Sequence, residues 1–253
     1  MIRILLFAPA DPACPVPEEL AALAARVLPF PVTLRPFPLA DDPSAARGLA
    51  GARVLDPGRP WAPREPLPGE VAYEEAHLNR GRSASLLYDA VAVADIHRDR
   101  LSPPDRRLGL LPVFLTDMLI GTFDEAERRF HARAALFGAA VLLSLRGPSE
   151  ALAGPREYHL LRRQLAAWGF DSWPDGAIPE DLRSRLIRPD DPRVPLFSVR
   201  YLLQAVFYRL TGDPFCAEHN CALYNAHHQS DLLAHPSPRL CPRHRAVLDG
   251  WRP

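Results

Sequence analysis

The chain has 253 residues, 47% hydrophobic and 24% charged, an ordinary balance for a globular protein long enough to bury a core. Thirty basic and thirty acidic residues cancel, which removes the electrostatic case for nucleic acid as a partner. No stretch approaches the roughly eighteen consecutive apolar residues of a membrane span, and the short apolar start lacks the flanks of a secretory signal; a cytoplasmic protein without a membrane partner is expected. All thirty cations are arginine and 29 residues are proline. This reads as codon bias of a GC-rich genome, so arginine clusters carry little information by themselves.

In chain order, residues 2–8 predict a buried strand. Pro17, Glu18 and Glu19 open a helix that runs through Leu28, with acids in its first turn. Residues 31–37 alternate as a second strand. Residues 40–70, rich in Pro, Gly, Ala and Arg and without a period, predict an irregular connection. Ser83 is placed to cap a helix from Ala84 to about Arg98, with Leu86, Leu87, Ala90, Val91 and Ala94 on one face. The apolar run Leu108–Thr116 predicts a central strand buried on both faces. Ala134–Gly138 and Ala139–Leu145 are further strands, residues 155–168 a helix with an arginine-bearing outer face, and residues 171–195 a proline-rich connection. Ser198 caps the most regular helix, where Val199, Leu202, Leu203, Val206, Phe207 and Leu210 recur at steps of three and four, and Gly212 ends it. Strands mixed with helices predict an α/β layered fold.

Three of the four cysteines fall within Cys216-x4-Cys221-x19-Cys241, and Cys241-Pro-Arg-His244 follows. In a reducing compartment, clustered thiols favour a metal over a disulfide. Zinc takes four thiolate or imidazole ligands in a tetrahedron, and two closely spaced pairs supply them: Cys216 with Cys221, and Cys241 with His244. Such a closed set leaves no position for water, so one structural zinc ion is expected. His219, His227, His228 and His235 lie within the enclosed loop, and any of them could replace His244. Cys14, alone in a proline-rich turn, reads as an unpaired thiol.

The same tail resembles that of the archaemetzincins. Their motif His-Glu-x-x-His-x-x-Gly-x-x-His is followed by Cys-x4-Cys-x-Met-x17-Cys-x-x-Cys. Here Cys216 and Cys221 match the first pair, Leu223 stands at the methionine, seventeen residues lead to Cys241, and His244 takes the last cysteine's place. Gly212 falls on the motif glycine. Weaker similarity reaches upstream, in Asn79–Leu87, Leu115-Thr116-Asp117 and Leu136-Phe137-Gly138-Ala139-Ala140. The resemblance implies a metzincin or zincin-like α/β fold over residues 1–253 as a single domain. It also implies a mixed, mostly parallel sheet, a long active-site-type helix and a zinc-stapled tail at 213–249.

The catalytic half of the motif is missing. The three histidine positions carry Ala205, Arg209 and Phe215, and the general-base glutamate position carries Val206. Alanine and phenylalanine have no donor atom, arginine cannot lose its proton, and valine cannot take one from water. No catalytic residue is therefore expected. The expected protein is a non-catalytic metallopeptidase homologue that keeps its structural zinc. It would use the old cleft to bind a peptide or protein, with Arg209 pairing a carboxylate there unless it is an ordinary solvated helix residue. The alternatives are a zinc-dependent peptidase with relocated ligands, drawn from the His219–His235 loop, and a structural subunit of a larger assembly.

Overall fold

A computed structural model describes residues 2–8, 17–39, 42–78, 86–168 and 178–251. Cys14, Ser83 and the Asn79–Ser85 stretch lie outside the described residues. The main sheet has five strands: β1 (Arg3–Ala8), β2 (Val32–Pro36), β4 (Leu110–Thr116), β7 (Ala135–Leu136) and β8 (Val141–Ser144), in the order β2-β1-β4-β8-β7. All neighbours are parallel except β7, which runs antiparallel to β8 along one edge. A smaller sheet pairs β3 (Leu87–Asp89) in parallel with β5 (Leu119–Asp124), which forms an antiparallel hairpin with β6 (Arg129–Arg133).

Strand periodicity sends successive side chains to opposite faces. Ile4, Leu6, Val113, Leu115, Val141 and Leu143 enter one core, and Leu5, Phe7, Phe114 and Leu142 enter the other. Because both faces are covered, the central strands read as continuous apolar runs. The first face is covered by α1 (Pro17–Val27), by α7 (Val194–Thr211) and by the cysteine-bearing tail. The second is covered by α2 (Pro43–Gly51) and α4 (Ala90–Asp99), and the Phe7 and Phe114 rings stack there at 4.9 Å.

Several expectations are corrected. The 40–70 stretch holds all of α2 and the start of α3 (Pro68–His77). Two of its prolines are helix starters: Pro43 follows the N-cap Asp42, whose carboxylate accepts from the Ser44 N–H at 2.9 Å, and Pro68 opens α3. The helix expected from Ala84 begins at Ala90, after a short strand, with Asp89 as its N-cap. Leu108, expected inside β4, is 95% exposed. The β5–β6 hairpin was missed: its half-exposed strands lack a clean apolar alternation. In the 171–195 connection, the described part holds α6 (Glu180–Ser184). α5 (Arg156–Ala167) lies where expected. α7 starts at Val194, before Ser198, with Pro195 in its first turn. Ser198 therefore caps nothing; its hydroxyl donates to the Val194 carbonyl one turn back, at 2.8 Å. Gly212 does end the helix, at φ 79°, and its N–H donates to the Tyr208 carbonyl at 2.9 Å.

Candidate metal centre

Helix α7 runs beneath the cysteine-bearing tail. After Gly212 the chain folds back so that the Cys216 N–H donates to the Leu223 carbonyl at 3.0 Å and the Cys221 N–H to the Glu218 carbonyl at 3.0 Å. This tight knuckle presents two sulfurs from one turn of chain. α8 (Gln229–Ala234) and the connection behind it lead to Cys241, the N-cap residue of α9 (Pro242–Asp249). Pro242 fixes the first helical residue, and the first turn carries His244 back over Cys241. The Ala222 N–H donates to the Arg239 carbonyl at 2.7 Å and ties the two halves together.

The four side chains meet. Cys216 Sγ lies 4.0 Å from Cys241 Sγ, and His244 Nδ1 lies 3.1 Å from Cys241 Sγ and 3.8 Å from Cys221 Sγ. All four ligand atoms lie within 4.8 Å of one another, and all four residues are buried. A zinc tetrahedron, with Zn–S about 2.3 Å and Zn–N about 2.0 Å, has edges of about 3.5–3.8 Å, and the separations here scatter around that range. Backbone N–H groups of Glu218 and Cys241 point at the sulfurs of Cys216 and Cys221, at 3.4 and 3.5 Å, as suits sulfur that carries negative charge. The His244 ring packs nearly perpendicular to that of Phe207 of α7, with centroids 5.2 Å apart.

Burial sets the protonation. It pushes the Cys221 thiol up to about 11, so without an ion this sulfur holds its proton at neutral pH. Burial, with Arg243 beside the ring, holds His244 below the ordinary histidine range, so it presents the neutral imidazole that a metal needs. The buried Cys3His cluster could therefore hold one zinc ion, with proton release on binding. His219, His227, His228 and His235 are exposed and stand outside the cluster, so His244 is its nitrogen donor.

The catalytic-motif positions lie elsewhere, on α7 and just after its end. Ala205 and Val206 are 1% and 0% exposed and belong to the same core as Leu223. Phe215, 38% exposed, meets Phe137 just beyond the edge strand β7, at 6.4 Å between centroids, and Phe137 also meets Tyr208 at 6.0 Å. Phe137, Tyr208 and Phe215 thus form an aromatic patch. Arg209 is exposed and forms no ion pair among the described residues; Asp213 instead accepts the Phe215 N–H at 3.0 Å. The other converging group among the described residues, Asp124, Glu127 and His131, is partly exposed at the β5–β6 turn.

Sequence reasoning overlooked the side chains that hold the tail. Arg200 is 1% exposed and donates to the carbonyls of Cys221, Ala222 and His235. One turn on, Gln204 donates to the Tyr224 carbonyl at 3.2 Å. Gln229 accepts the Ile187 N–H and donates to the Ser149 carbonyl, both at 2.8 Å. The available signal was two long polar residues four apart on an otherwise apolar helix face.

A family model described as a probable metallopeptidase family (DUF6775) matches residues 20–251. The chain belongs to this family. Two solved structures are similar to it, each at 15% identity. One is a zinc-dependent peptidase from Methanocorpusculum labreanum, covering 97% of this chain and 99% of that one, at a TM-score of 0.45. The other is the archaemetzincin from Methanopyrus kandleri, covering 98% of this chain and 94% of that one, at 0.43. No curated protein matches the chain. Among the described residues, the buried group that could hold a metal ion is the Cys3His cluster of the tail.

Proposed function

We propose that the chain is a non-catalytic member of its metallopeptidase family, one domain that keeps a structural zinc and binds peptide at the former cleft. The observation that carries this reading is the chemistry of α7. A hydrolytic zinc needs three protein donors and an activated water, with a base beside it. Ala205, Val206, Arg209 and Phe215 provide none of these, and Ala205 and Val206 are packed into the core.

What remains at that place suits binding. β7 is a sheet edge, and an extended peptide can add a strand to such an edge. Phe137, Tyr208 and Phe215 offer an aromatic surface beside it, and Arg209 is free to pair with an acidic or C-terminal carboxylate. Three free, buried thiols suit a reducing compartment, which supports a cytoplasmic setting.

The test uses purified protein and a degenerate peptide library with free C-terminal carboxylates. Retention of a peptide subset without cleavage is expected, weakened by both Arg209→Ala and Phe215→Ala with zinc content unchanged. Cleavage that a chelator abolishes would overturn the reading in favour of relocated catalytic ligands. No retention, with elution at the size of a larger assembly, would favour a structural subunit.

A further inference from the structure

Arg200 presents a charge problem that its hydrogen bonds do not solve. It heads the largest fully buried side chains among the described residues. Its guanidinium donates from Nη1 to the His235 carbonyl at 2.5 Å, from Nη2 to the Cys221 carbonyl at 3.3 Å and from Nε to the Ala222 carbonyl at 3.4 Å. These acceptors are all neutral, and no carboxylate pairs with it among the described residues. Asp231, the acidic side chain it feels electrostatically, is already taken up by the N–H groups of His227 and His228 at 3.1 and 3.0 Å. A buried charge without a counter-charge costs several kcal/mol.

The missing charge lies in the segment that Arg200 grips. Three thiolates and one neutral imidazole around a divalent ion leave a net charge of about −1, buried in the same core. Resting on the reading that the cluster holds zinc, we infer that Arg200 is the counter-charge of the metal centre and sets its affinity for the ion. The arginine and the loaded cluster form a neutral buried pair. With the ion absent, this charge-balanced pair does not exist. Metal binding and the docking of the tail on α7 are thereby coupled through one side chain. A residue that only fastened the tail by hydrogen bonds would make no such distinction between the loaded and empty states.

A double-mutant cycle separates the two roles. Zinc affinity is measured by chelator competition in the wild type, Arg200→Gln, His244→Cys and the double variant. The Gln side chain keeps a donor and removes the charge. His244→Cys raises the thiolate count to four, so the loaded core carries about −2. Arg200→Gln is expected to weaken zinc at least tenfold in the wild-type background and by a clearly larger factor in the His244→Cys background. The visible spectrum of the cobalt-substituted protein should be unaltered by Arg200→Gln alone, because the ligand set is the same. Equal losses in both backgrounds, or no loss in either, would overturn the inference. Where the Gln variant does not fold, Arg200→Lys decides: it keeps the charge and loses the fork, so affinity within about threefold of the wild type supports the inference and a tenfold loss sinks it. A wild-type chain that takes up no zinc at all would instead refute the metal reading on which the inference stands.

Discussion

Cys221 and Val206 show how much rests on single side chains. Cys221 offers one of four donors, and its thiol is held protonated by burial until an ion displaces the proton. Cys221→Ser should eliminate bound zinc in elemental analysis and speed hydrogen exchange across residues 213–251. The stability lost should stay well below the roughly 10–16 kcal/mol of isolated zinc-finger peptides, because the hydrophobic core on the α2 and α4 side includes none of the cluster's cysteines. Zinc affinity should also fall as pH drops below neutrality, since protons compete for the thiolates. Val206 stands where the family resemblance would put a general base, yet it is fully buried. Val206→Glu should therefore lower stability by about 3 kcal/mol or more in chemical denaturation without restoring hydrolysis, because a carboxylate would enter the core unpaired. A well-folded Val206→Glu protein would mean that this face of α7 opens to water.

Among elements, helix boundaries carry the most local information. Gly212 closes α7 at φ 79°, a conformation costly for any side chain, so Gly212→Ala should cost about 1 kcal/mol in melting experiments. Asp42 caps α2 and also holds Arg100 of the turn after α4 at 2.5 Å, which binds α2 to its neighbour. Its hydrogen bond from Ser44, then that from Arg100, lowers its carboxyl to about 2. A depressed folded-state value contributes stability that is present above the ordinary aspartate range, near pH 4, and is lost as pH falls from about 4 to about 2. Asp42→Ala should cost about 1 kcal/mol at pH 7, and the difference from wild type should vanish near pH 2. These boundaries were partly legible: the glycine stop of α7 was, whereas the true start was hidden because Pro195 reads as a helix breaker unless it is already in the first turn. The β5–β6 hairpin was illegible because its strands are only partly buried and lack a clean apolar alternation.

At the scale of the whole molecule, the main sheet divides two cores of different dependence on metal. Core residues on the α2 and α4 side share nothing with the cysteine cluster, while those on the α7 side include three of its cysteines. Chelation should therefore lower the melting temperature and loosen the tail together with the adjacent face of α7, while exchange in α2 and α4 stays close to that of the loaded protein. Elemental analysis should give one zinc per chain before chelation. Among the described residues no helix is long and apolar enough to cross a membrane.

The sequence by itself determined the cysteine-and-histidine set of the tail, the end of α7 and the buried central strand. Each depends on residue type at short spacing, and chemistry at short spacing does not need the fold to be known. Only the tertiary structure chose His244 over four loop histidines, because a ligand is defined by convergence and the others are exposed. It alone placed Arg209 on the surface and brought Phe137, Tyr208 and Phe215 together from separate segments. It also revealed Arg200, whose role depends on carbonyls 21 to 35 residues away in the chain. Contacts between backbone groups so distant in sequence leave no local pattern, since a carbonyl is the same at every residue and only the fold decides which one an arginine can reach.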